Sequence, residues 1–213
     1  MNEEQTKRDY IDPKLREAGW EQNAQVRVLM EHKLNDGRIQ IGGKRAQPKF
    51  ADYVLECKNK KLAVVEAKKL GLGYAEGLAQ AKEYGQMLGI DFVYATDGQE
   101  ICEYSLKANS GKLIDSFPTP EELWQKTFSE HNKWKEIFAQ TPFGVSGTKS
   151  PRYYQENAVN RVLEAVAEDK NRILLTLATG TGKTYIASQI AYKLYEAKWN
   201  LQKDANRRPR ILF

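Results

Sequence analysis

The segment of the chain that most constrains its fold is glycine-rich and reads Ala178-Thr179-Gly180-Thr181-Gly182-Lys183-Thr184. It follows an apolar run, Ile173 to Leu177, that predicts a strand, and it precedes a stretch from Lys183 to about Lys198 that predicts a helix. In this position glycines let backbone N–H groups close around a phosphate, and the start of the helix favours the anion. The Lys183 ammonium would reach the β- and γ-phosphates, and the Thr184 hydroxyl would ligate Mg²⁺. The sequence therefore predicts an α/β nucleotide-binding unit with the contact residues Gly180, Thr181, Gly182, Lys183 and Thr184.

A stretch of linker composition divides the chain upstream of this unit. Gly144 to Ser150 reads Gly-Val-Ser-Gly-Thr-Lys-Ser and precedes Pro151, a composition typical of flexible connections. A helix from about Tyr154 to Ala167 then leads into the predicted strand and the phosphate loop. We therefore expect a first domain over residues 1–145, a linker over 146–151 and the start of a nucleotide-binding domain over 152–213.

The first domain alternates helical and extended patterns, which predicts an α/β fold. Helices are expected from Glu3 to Ala18, from Tyr74 to Leu88, from Thr119 onwards and around Trp134 to Phe138. Strands are expected at Val26 to Met30, Arg38 to Ile41, Ala51 to Cys57, Leu62 to Ala67, Phe92 to Thr96 and Glu100 to Leu106. The polar turn Lys58-Asn59-Lys60-Lys61 joins the third and fourth of these strands into a hairpin.

Two carboxylates and a lysine are expected to meet at the end of this hairpin. Paired positions of an antiparallel hairpin have a constant sum of residue numbers, so a fold about Asn59 places Asp52 opposite Glu66, give or take one residue. Lys68 follows Glu66 by two positions and projects on the same side if the strand continues. Bound between Asp52 and Glu66, Mg²⁺ would activate a water, and the Lys68 ammonium would stabilise the transition state of phosphodiester hydrolysis. The alternative is that all three are solvated ends of strands.

The hairpin residues resemble a known nuclease signature. Ala-Asp-Tyr-Val-Leu at residues 51–55 and Leu-Ala-Val-Val-Glu-Ala-Lys at 62–68 are similar to the Asp and Glu-x-Lys motif of restriction-endonuclease-like nucleases, in the version carried by type I restriction motor subunits. The resemblance implies a mixed sheet with flanking helices and a catalytic set of Asp52, Glu66, Lys68, Gln80 and Tyr84. Gln80 and Tyr84 are four residues apart, so they share one face of the following helix. Without the resemblance, ordinary polar helix residues are an equal alternative for this pair.

The residues around the phosphate loop extend the resemblance to a motor. Leu177 stands where the strict phosphate-loop pattern has glycine, and the Gly-x-Gly-Lys-Thr ending is similar to that of superfamily 2 helicases and translocases, whose motor domains are RecA-like. Arg152-Tyr153-Tyr154-Gln155 resembles the short motif with which such motors bind adenine, and the Gln155 amide can both donate to the base and accept from it. No acidic motif follows a strand after the loop in the sequence to Phe213. We therefore expect an incomplete ATPase in this chain.

Composition agrees with a DNA partner but does not require one. The net charge of +5 and a pI near 9.0 suit a polyanion, and no run of about 18 apolar residues that a membrane span needs is present. We expect a cytoplasmic protein that uses ATP and Mg²⁺ and acts on double-stranded DNA. As the resemblance implies, its partners would be methyltransferase and specificity subunits. Two alternatives stay open: a type III or stand-alone nuclease-helicase defence protein, and a catalytically inactive DNA-binding module.

Overall fold

The computed structural model describes residues 2–21, 23–35, 46–129, 132–144, 151–204 and 206–212. The chain forms two compact units, Met1–Ser129 and Glu130–Phe213. In the described residues no helix combines the length and the apolar character that crossing a membrane requires. The predicted cytoplasmic location stays a prediction.

A six-stranded mixed sheet forms the centre of the first unit, with the strands side by side in the order of the sequence. The strands are β1 (Val26–Asn35), β2 (Lys49–Cys57), β3 (Lys60–Ala67), β4 (Phe92–Thr96), β5 (Ile101–Ser105) and β6 (Ser110–Ile114). Neighbours are antiparallel except β3 and β4, which run parallel. A parallel pair needs a crossover, and α3 (Ala75–Leu88) provides it between β3 and β4. The α/β fold with a mixed sheet is confirmed.

Helices flank this sheet and begin and end at residues that the sequence marks. The N-terminal segment consists of α1 (Glu3–Thr6), a π-helical segment (Lys7–Ile11) and α2 (Asp12–Glu17). Helix α3 ends at Gly89, whose φ of 66° is the left-handed conformation that glycine adopts readily. Helix α4 (Pro120–Thr127) begins with the predicted capping box between Thr119 and Glu122. These predicted helices are therefore confirmed.

The core of the first unit lies where β2, β3 and β4 pack against the helices. Val54, Leu55, Val64 and Val93 have no solvent exposure, which accounts for the apolar and β-branched composition of these strands. Trp20 is also buried, and its indole N–H donates to the main-chain oxygen of Pro118, 3.0 Å away. This rigid centre holds the adjacent polar hairpin end in place.

The described residues of the second unit contain three helices: α5 (Lys133–Gln140), α6 (Tyr153–Ala167) and α7 (Lys183–Glu196). They bury a cluster that includes Phe138, Val159, Leu163 and Ile186. Packing therefore assigns α5 to the second unit, whereas the sequence analysis placed it in a first domain ending at residue 145. Within the predicted linker, residues 146–150 lie outside the described residues. The domain limits predicted from the sequence stay a prediction.

Several strand predictions differ from the structure. The predicted strand from Ile173 to Leu177 is wrong, since these residues have no regular secondary structure and Leu174 is 91% exposed. A strand exists only by hydrogen bonding to a neighbour, and the second unit contains no strand among its described residues. The predicted strand from Arg38 to Ile41 lies outside the described residues. Strand β1 continues past Met30 to Asn35, and β6 was not predicted at all.

Candidate functional site

The hairpin of β2 and β3 has the register that the residue numbers predict. Tyr53 pairs with Val65, Val54 with Val64 and Leu55 with Ala63. Continuing this register by one residue brings Asp52 and Glu66 to neighbouring positions at the end of the hairpin. The register shifts by one residue only beyond Leu55, on the far side from these carboxylates. The structure therefore has the register on which the predicted pairing of Asp52 and Glu66 rests.

Glu66 is the most deeply buried member of the site, with 2% of its surface exposed. Its Oε1 accepts a hydrogen bond from the Lys68 ammonium, 3.0 Å away. Its Oε2 is buried and has no hydrogen-bond partner among the described residues. Burial, followed by repulsion from Asp52, raises the pKa of Glu66 to about 8. One carboxylate oxygen thus points into the site without a proton donor or a cation to satisfy it.

Asp52 is held at both of its oxygens. Oδ2 accepts from the main-chain N–H of Ala67, 2.8 Å away, which ties the end of β2 to the end of β3. Oδ1 forms an ion pair of 2.6 Å with the ammonium of Lys7. Lys7 comes from the N-terminal helical segment and was not among the predicted site residues. Its charge sets the local electrostatics at the entrance of the carboxylate pair.

Helix α3 supplies the other two predicted residues to the same place. The Lys68 ammonium lies 3.3 Å from Oε1 of Gln80, and Nε2 of Gln80 donates to the hydroxyl of Tyr84 over 2.8 Å. Burial lowers the pKa of Lys68, but pairing with Glu66 outweighs it and the pKa is raised, so the ammonium is charged. Four of the five predicted residues, Glu66, Lys68, Gln80 and Tyr84, therefore form one chain of hydrogen bonds. Asp52 acts on Glu66 and Lys68 through its charge.

A close approach between α3 and β3 makes this network possible. A Cβ added at the buried helix residue Gly77 would lie 3.2 Å from Cγ of Lys68 and 3.4 Å from Cγ of Glu66. A Cβ there would require the Lys68 side chain to shift by a few tenths of an ångström. Gly77 is a supporting residue that sequence reasoning missed, because only the packed structure shows what faces it.

The donor set fits a hard divalent cation. Mg²⁺ binds one or two carboxylates and completes its shell with waters and substrate oxygens, and Asp52 and Glu66 provide such a pair. The unsatisfied Oε2 of Glu66 is a buried acceptor that a cation would compensate. Among the described residues no group of three or more His, Cys, Asp or Glu side chains could hold a metal ion. Any cation here would therefore depend on water and substrate for most of its ligands.

The predicted phosphate loop lies in the second unit, at the start of α7. Gly180 and Gly182 have φ values of 76° and 85°, which fold the loop into a turn that other residues rarely adopt. The Thr181 hydroxyl donates to the main-chain oxygen of Ala178 over 2.7 Å. Lys183 and Thr184 are the first two residues of α7, and both are exposed. They are therefore accessible to a ligand in the solvent.

The predicted adenine-binding motif is in direct contact with this loop. Nε2 of Gln155 donates to the main-chain oxygen of Thr181 over 2.9 Å, and its Oε1 accepts from the main-chain N–H of Arg152 over 3.0 Å. The Arg152 guanidinium donates to the Tyr154 hydroxyl over 3.0 Å. Residues 152–155 and the loop are thus adjacent, as a single nucleotide site requires.

Comparisons with known proteins show which proteins this chain is similar to. The chain is 38% identical over 205 residues to the endonuclease subunit of the type I restriction enzyme EcoAI from Escherichia coli, covering 88% of this chain and 25% of that protein. A solved fragment structure assigned to an HsdR subunit of a type I restriction enzyme from Vibrio vulnificus matches with a TM-score of 0.87 and 38% identity. That match covers 99% of this chain and 41% of the other. The chain is a homologue of type I restriction endonuclease subunits.

Two further matches refine this assignment. The type I endonuclease subunit of EcoKI from Escherichia coli K12 is 28% identical over 92% of this chain and 22% of its own length. Residues 148–213 match the family described as type III restriction enzyme, res subunit. The resemblance identified from the sequence is confirmed, and the chain spans about a quarter of the length of its curated type I relatives.

Proposed function

We propose that this chain carries the DNA-cleaving site of a type I restriction endonuclease subunit, and that the site hydrolyses phosphodiester bonds of double-stranded DNA with Mg²⁺. The observation that carries the proposal is the buried Oε2 of Glu66, which lacks a hydrogen-bond partner among the described residues and lies beside Asp52 and Lys68. A buried polar atom without a hydrogen-bond partner is costly in a protein interior unless a ligand compensates it. The type I homologues support restriction cleavage as the reaction.

Each residue of the site would have a distinct task. Asp52 and Glu66 would hold the Mg²⁺, which when bound polarises the scissile phosphate and lowers the pKa of a ligated water. The Lys68 ammonium would orient the attacking water or stabilise the additional negative charge on the phosphate. Gln80 fixes the direction of the Lys68 ammonium, and Tyr84 in turn fixes Gln80. These hydrogen bonds hold the Lys68 ammonium in place before the reaction, which lowers the entropy cost of reaching the transition state.

The second unit would supply the first part of an ATP-driven motor. Lys183 would bind the β- and γ-phosphates, Thr184 would ligate Mg²⁺, and Gly180 to Gly182 would surround the phosphates with N–H groups. Gln155 would pair with adenine, next to Arg152. The match of residues 148–213 to the type III res family supports this assignment. In the complete protein we infer DNA translocation driven by ATP, together with methyltransferase and specificity subunits.

Single substitutions in the complete type I enzyme test the division of labour. Replacing Asp52 or Glu66 by alanine should lower DNA cleavage by at least about a thousandfold, since the charge stabilisation at the phosphate is lost. ATP hydrolysis should be unchanged, because the two sites lie in separate compact units. Glu76→Ala, which removes an exposed carboxylate of α3, is the matched control and should cleave normally. Cleavage by folded Asp52→Ala and Glu66→Ala proteins would refute the proposal.

A type III or stand-alone nuclease-helicase defence protein is the second candidate. The family match of the second unit favours it, since that family is described by a type III subunit. Purification of the full-length protein from its own cells separates the two candidates. Association with methyltransferase and specificity subunits indicates type I, whereas a protein without a specificity subunit indicates the second candidate.

A further inference from the structure

Lys7 lies among three carboxylates, one of which is Asp52 of the proposed nuclease site. Its ammonium is 2.6 Å from Oδ1 of Asp52, 2.7 Å from Oε1 of Glu31 and 3.2 Å from Oε1 of Glu4. The side chains of Lys7 and Asp52 are only 10% and 11% exposed, whereas those of Glu31 and Glu4 are 61% and 78% exposed. The pair with Asp52 is thus the protected contact, and the other two face the solvent, where ion pairs are weak.

Two irregularities of the backbone bring these groups together. Lys7 is the first residue of the π-helical segment, and short π-helical turns are frequent at functional sites. Glu31 has a φ of 46° within β1, between the pairs Met30–Tyr53 and His32–Ala51, so it lies beside Asp52. A non-glycine residue rarely adopts this left-handed conformation. The first irregularity thus carries Lys7, and the second carries Glu31, whose carboxylate pairs with the Lys7 ammonium.

The Lys7 ammonium and a divalent cation would bind the same carboxylate. Oδ2 of Asp52 accepts from the main-chain N–H of Ala67, and Oδ1 pairs with Lys7, so a cation bound to this carboxylate would lie close to the Lys7 ammonium. Two positive charges a few ångströms apart in a largely buried site repel strongly. Lys7 has two other partners, Glu4 and Glu31, to which it can remain bound after it leaves Asp52.

We propose that Lys7 is an internal counter-ion of the nuclease site, which competes with the divalent cation for Asp52 and thereby limits metal affinity. This inference rests on the proposed nuclease function, because it requires Asp52 to be a metal ligand. Metal binding moves Lys7 from Asp52 onto the exposed Glu4 and Glu31. Lys7 is a positioning residue that keeps Asp52 paired until metal and substrate arrive together.

Titration of the chain with Mn²⁺, followed by the electron paramagnetic resonance signal of the free ion, tests the competition without measuring catalysis. Lys7→Met keeps the aliphatic stem and removes the charge, and it should bind Mn²⁺ about tenfold more tightly than the unsubstituted chain. Adding Asp52→Asn to Lys7→Met should abolish this gain. Lys14→Met is the matched control, since Lys14 is a lysine of the same helical segment that donates to the main-chain oxygen of Gly98 instead of to a carboxylate.

The remaining outcomes separate this inference from the proposed function. Lys7→Gln is the second variant, and circular dichroism and thermal unfolding show which of the two folds. If the folded variant binds Mn²⁺ no more tightly, or if Lys14→Met gains as much, the role of Lys7 is refuted. The metal site of the proposed function survives that result when Glu66→Gln still weakens Mn²⁺ binding. If neither Asp52→Asn nor Glu66→Gln weakens binding to the unsubstituted chain, both proposals are refuted.

Discussion

The side-chain amide of Gln155 donates a hydrogen bond of 2.9 Å to the main-chain oxygen of Thr181. The residue predicted to bind adenine is therefore also a support of the phosphate loop. An amide group has a second N–H and its oxygen a second lone pair, so contact with the loop and recognition of a base are compatible. The position of the loop and the position of the adenine-binding residue are consequently coupled.

Gly182 is the point at which this coupling can be broken. An added Cβ would lie 2.6 Å from Nε2 of Gln155, at a residue whose φ is 85°. Gly182→Ala should weaken binding of a fluorescent ATP analogue by about tenfold or more, because the added Cβ displaces the Gln155 amide from the loop. A tenfold loss of affinity corresponds to about 1.4 kcal/mol. The affinity is measured by fluorescence titration of the chain.

A glycine of the first unit provides the control for backbone strain. Gly71 has a φ of 84° and no atom within 4 Å of an added Cβ. Gly71→Ala should cost stability through the same left-handed conformation, roughly 1 kcal/mol, but leave nucleotide affinity unchanged. An equal loss of affinity in both variants would contradict the contact between Gln155 and the loop as the cause.

Glu66 should make the stability of the first unit depend on pH. Its pKa is raised to about 8 by burial and by Asp52, so the folded state retains a proton that the unfolded state releases above its ordinary pKa of 4.5. The stability that this retained proton gives the folded state is fully present below pH 4.5. It is lost as the pH rises towards 8, by up to about 1.4 kcal/mol per pH unit. Urea unfolding in EDTA at pH 5 to 9 measures this slope.

Glu66→Gln isolates the contribution of this carboxyl group. The variant should show a shallower fall of unfolding free energy with pH than the unsubstituted chain, and it should be the more stable of the two at pH 9. Glu76→Gln, at an exposed position of α3, should retain the slope of the unsubstituted chain. Parallel pH profiles for Glu66→Gln and the unsubstituted chain would contradict the raised pKa.

Substitution of Gln80 should lower the rate of DNA cleavage more than substitution of Tyr84. Gln80 contacts the Lys68 ammonium directly, whereas Tyr84 contacts Gln80. Gln80→Ala should lower DNA cleavage by the complete enzyme about tenfold to a hundredfold, as loss of an outer-sphere partner does. Tyr84→Phe removes one hydrogen bond and should cost about threefold. Plasmid linearisation under single-turnover conditions gives both rates. Equal ATP hydrolysis in all variants is the control, and a larger effect of Tyr84→Phe would reverse the proposed order.

The placement of the proposed nuclease residues could be anticipated because their arrangement is local, whereas their role was inferred from the resemblance to type I motor subunits. Asp52 and Glu66 belong to one hairpin, so a constant sum of residue numbers defines their pairing, and Tyr53–Val65 and Val54–Val64 follow that sum. Gln80 and Tyr84 lie four residues apart on a helix, so periodicity places them on one face. Such arguments need only the geometry of single elements.

Contacts between distant parts of the chain could not be predicted in this way. Lys7 meets Asp52 because the N-terminal segment packs over the sheet, and no periodicity of either segment indicates that packing. The apolar run from Ile173 to Leu177 predicts a strand, but it has no neighbouring strand among the described residues. The composition of a segment gives it a propensity for the extended conformation, but a strand forms only where a neighbouring strand can pair with it.

Asp97 also makes contacts between distant parts of the chain, and it supports the loop that follows Lys68. It is 3% exposed, and its two oxygens accept from four main-chain N–H groups. Oδ2 accepts from Gly71 and Gly73, over 3.1 and 3.0 Å, and Oδ1 accepts from Gln99 and Glu100, each over 3.0 Å. One carboxylate thus joins the loop after β3 to the turn between β4 and β5.

Asp97→Asn should therefore lower the unfolding free energy by about 1–3 kcal/mol at pH 7, because an amide has only one acceptor oxygen and its NH₂ group would face N–H donors. Burial raises the pKa of Asp97, but the four backbone hydrogen bonds outweigh it and hold the pKa below its ordinary value of 3.8. The stability that this carboxylate contributes is thus present above 3.8 and is lost as the pH falls through the depressed pKa. Urea unfolding at pH 7 and at pH 3 should show the difference between the variant and the unsubstituted chain shrinking in acid, while the exposed Asp115→Asn control shows little difference at pH 7. A difference that stayed constant down to the acid limit would mean that the carboxylate charge is not what holds the two loops together.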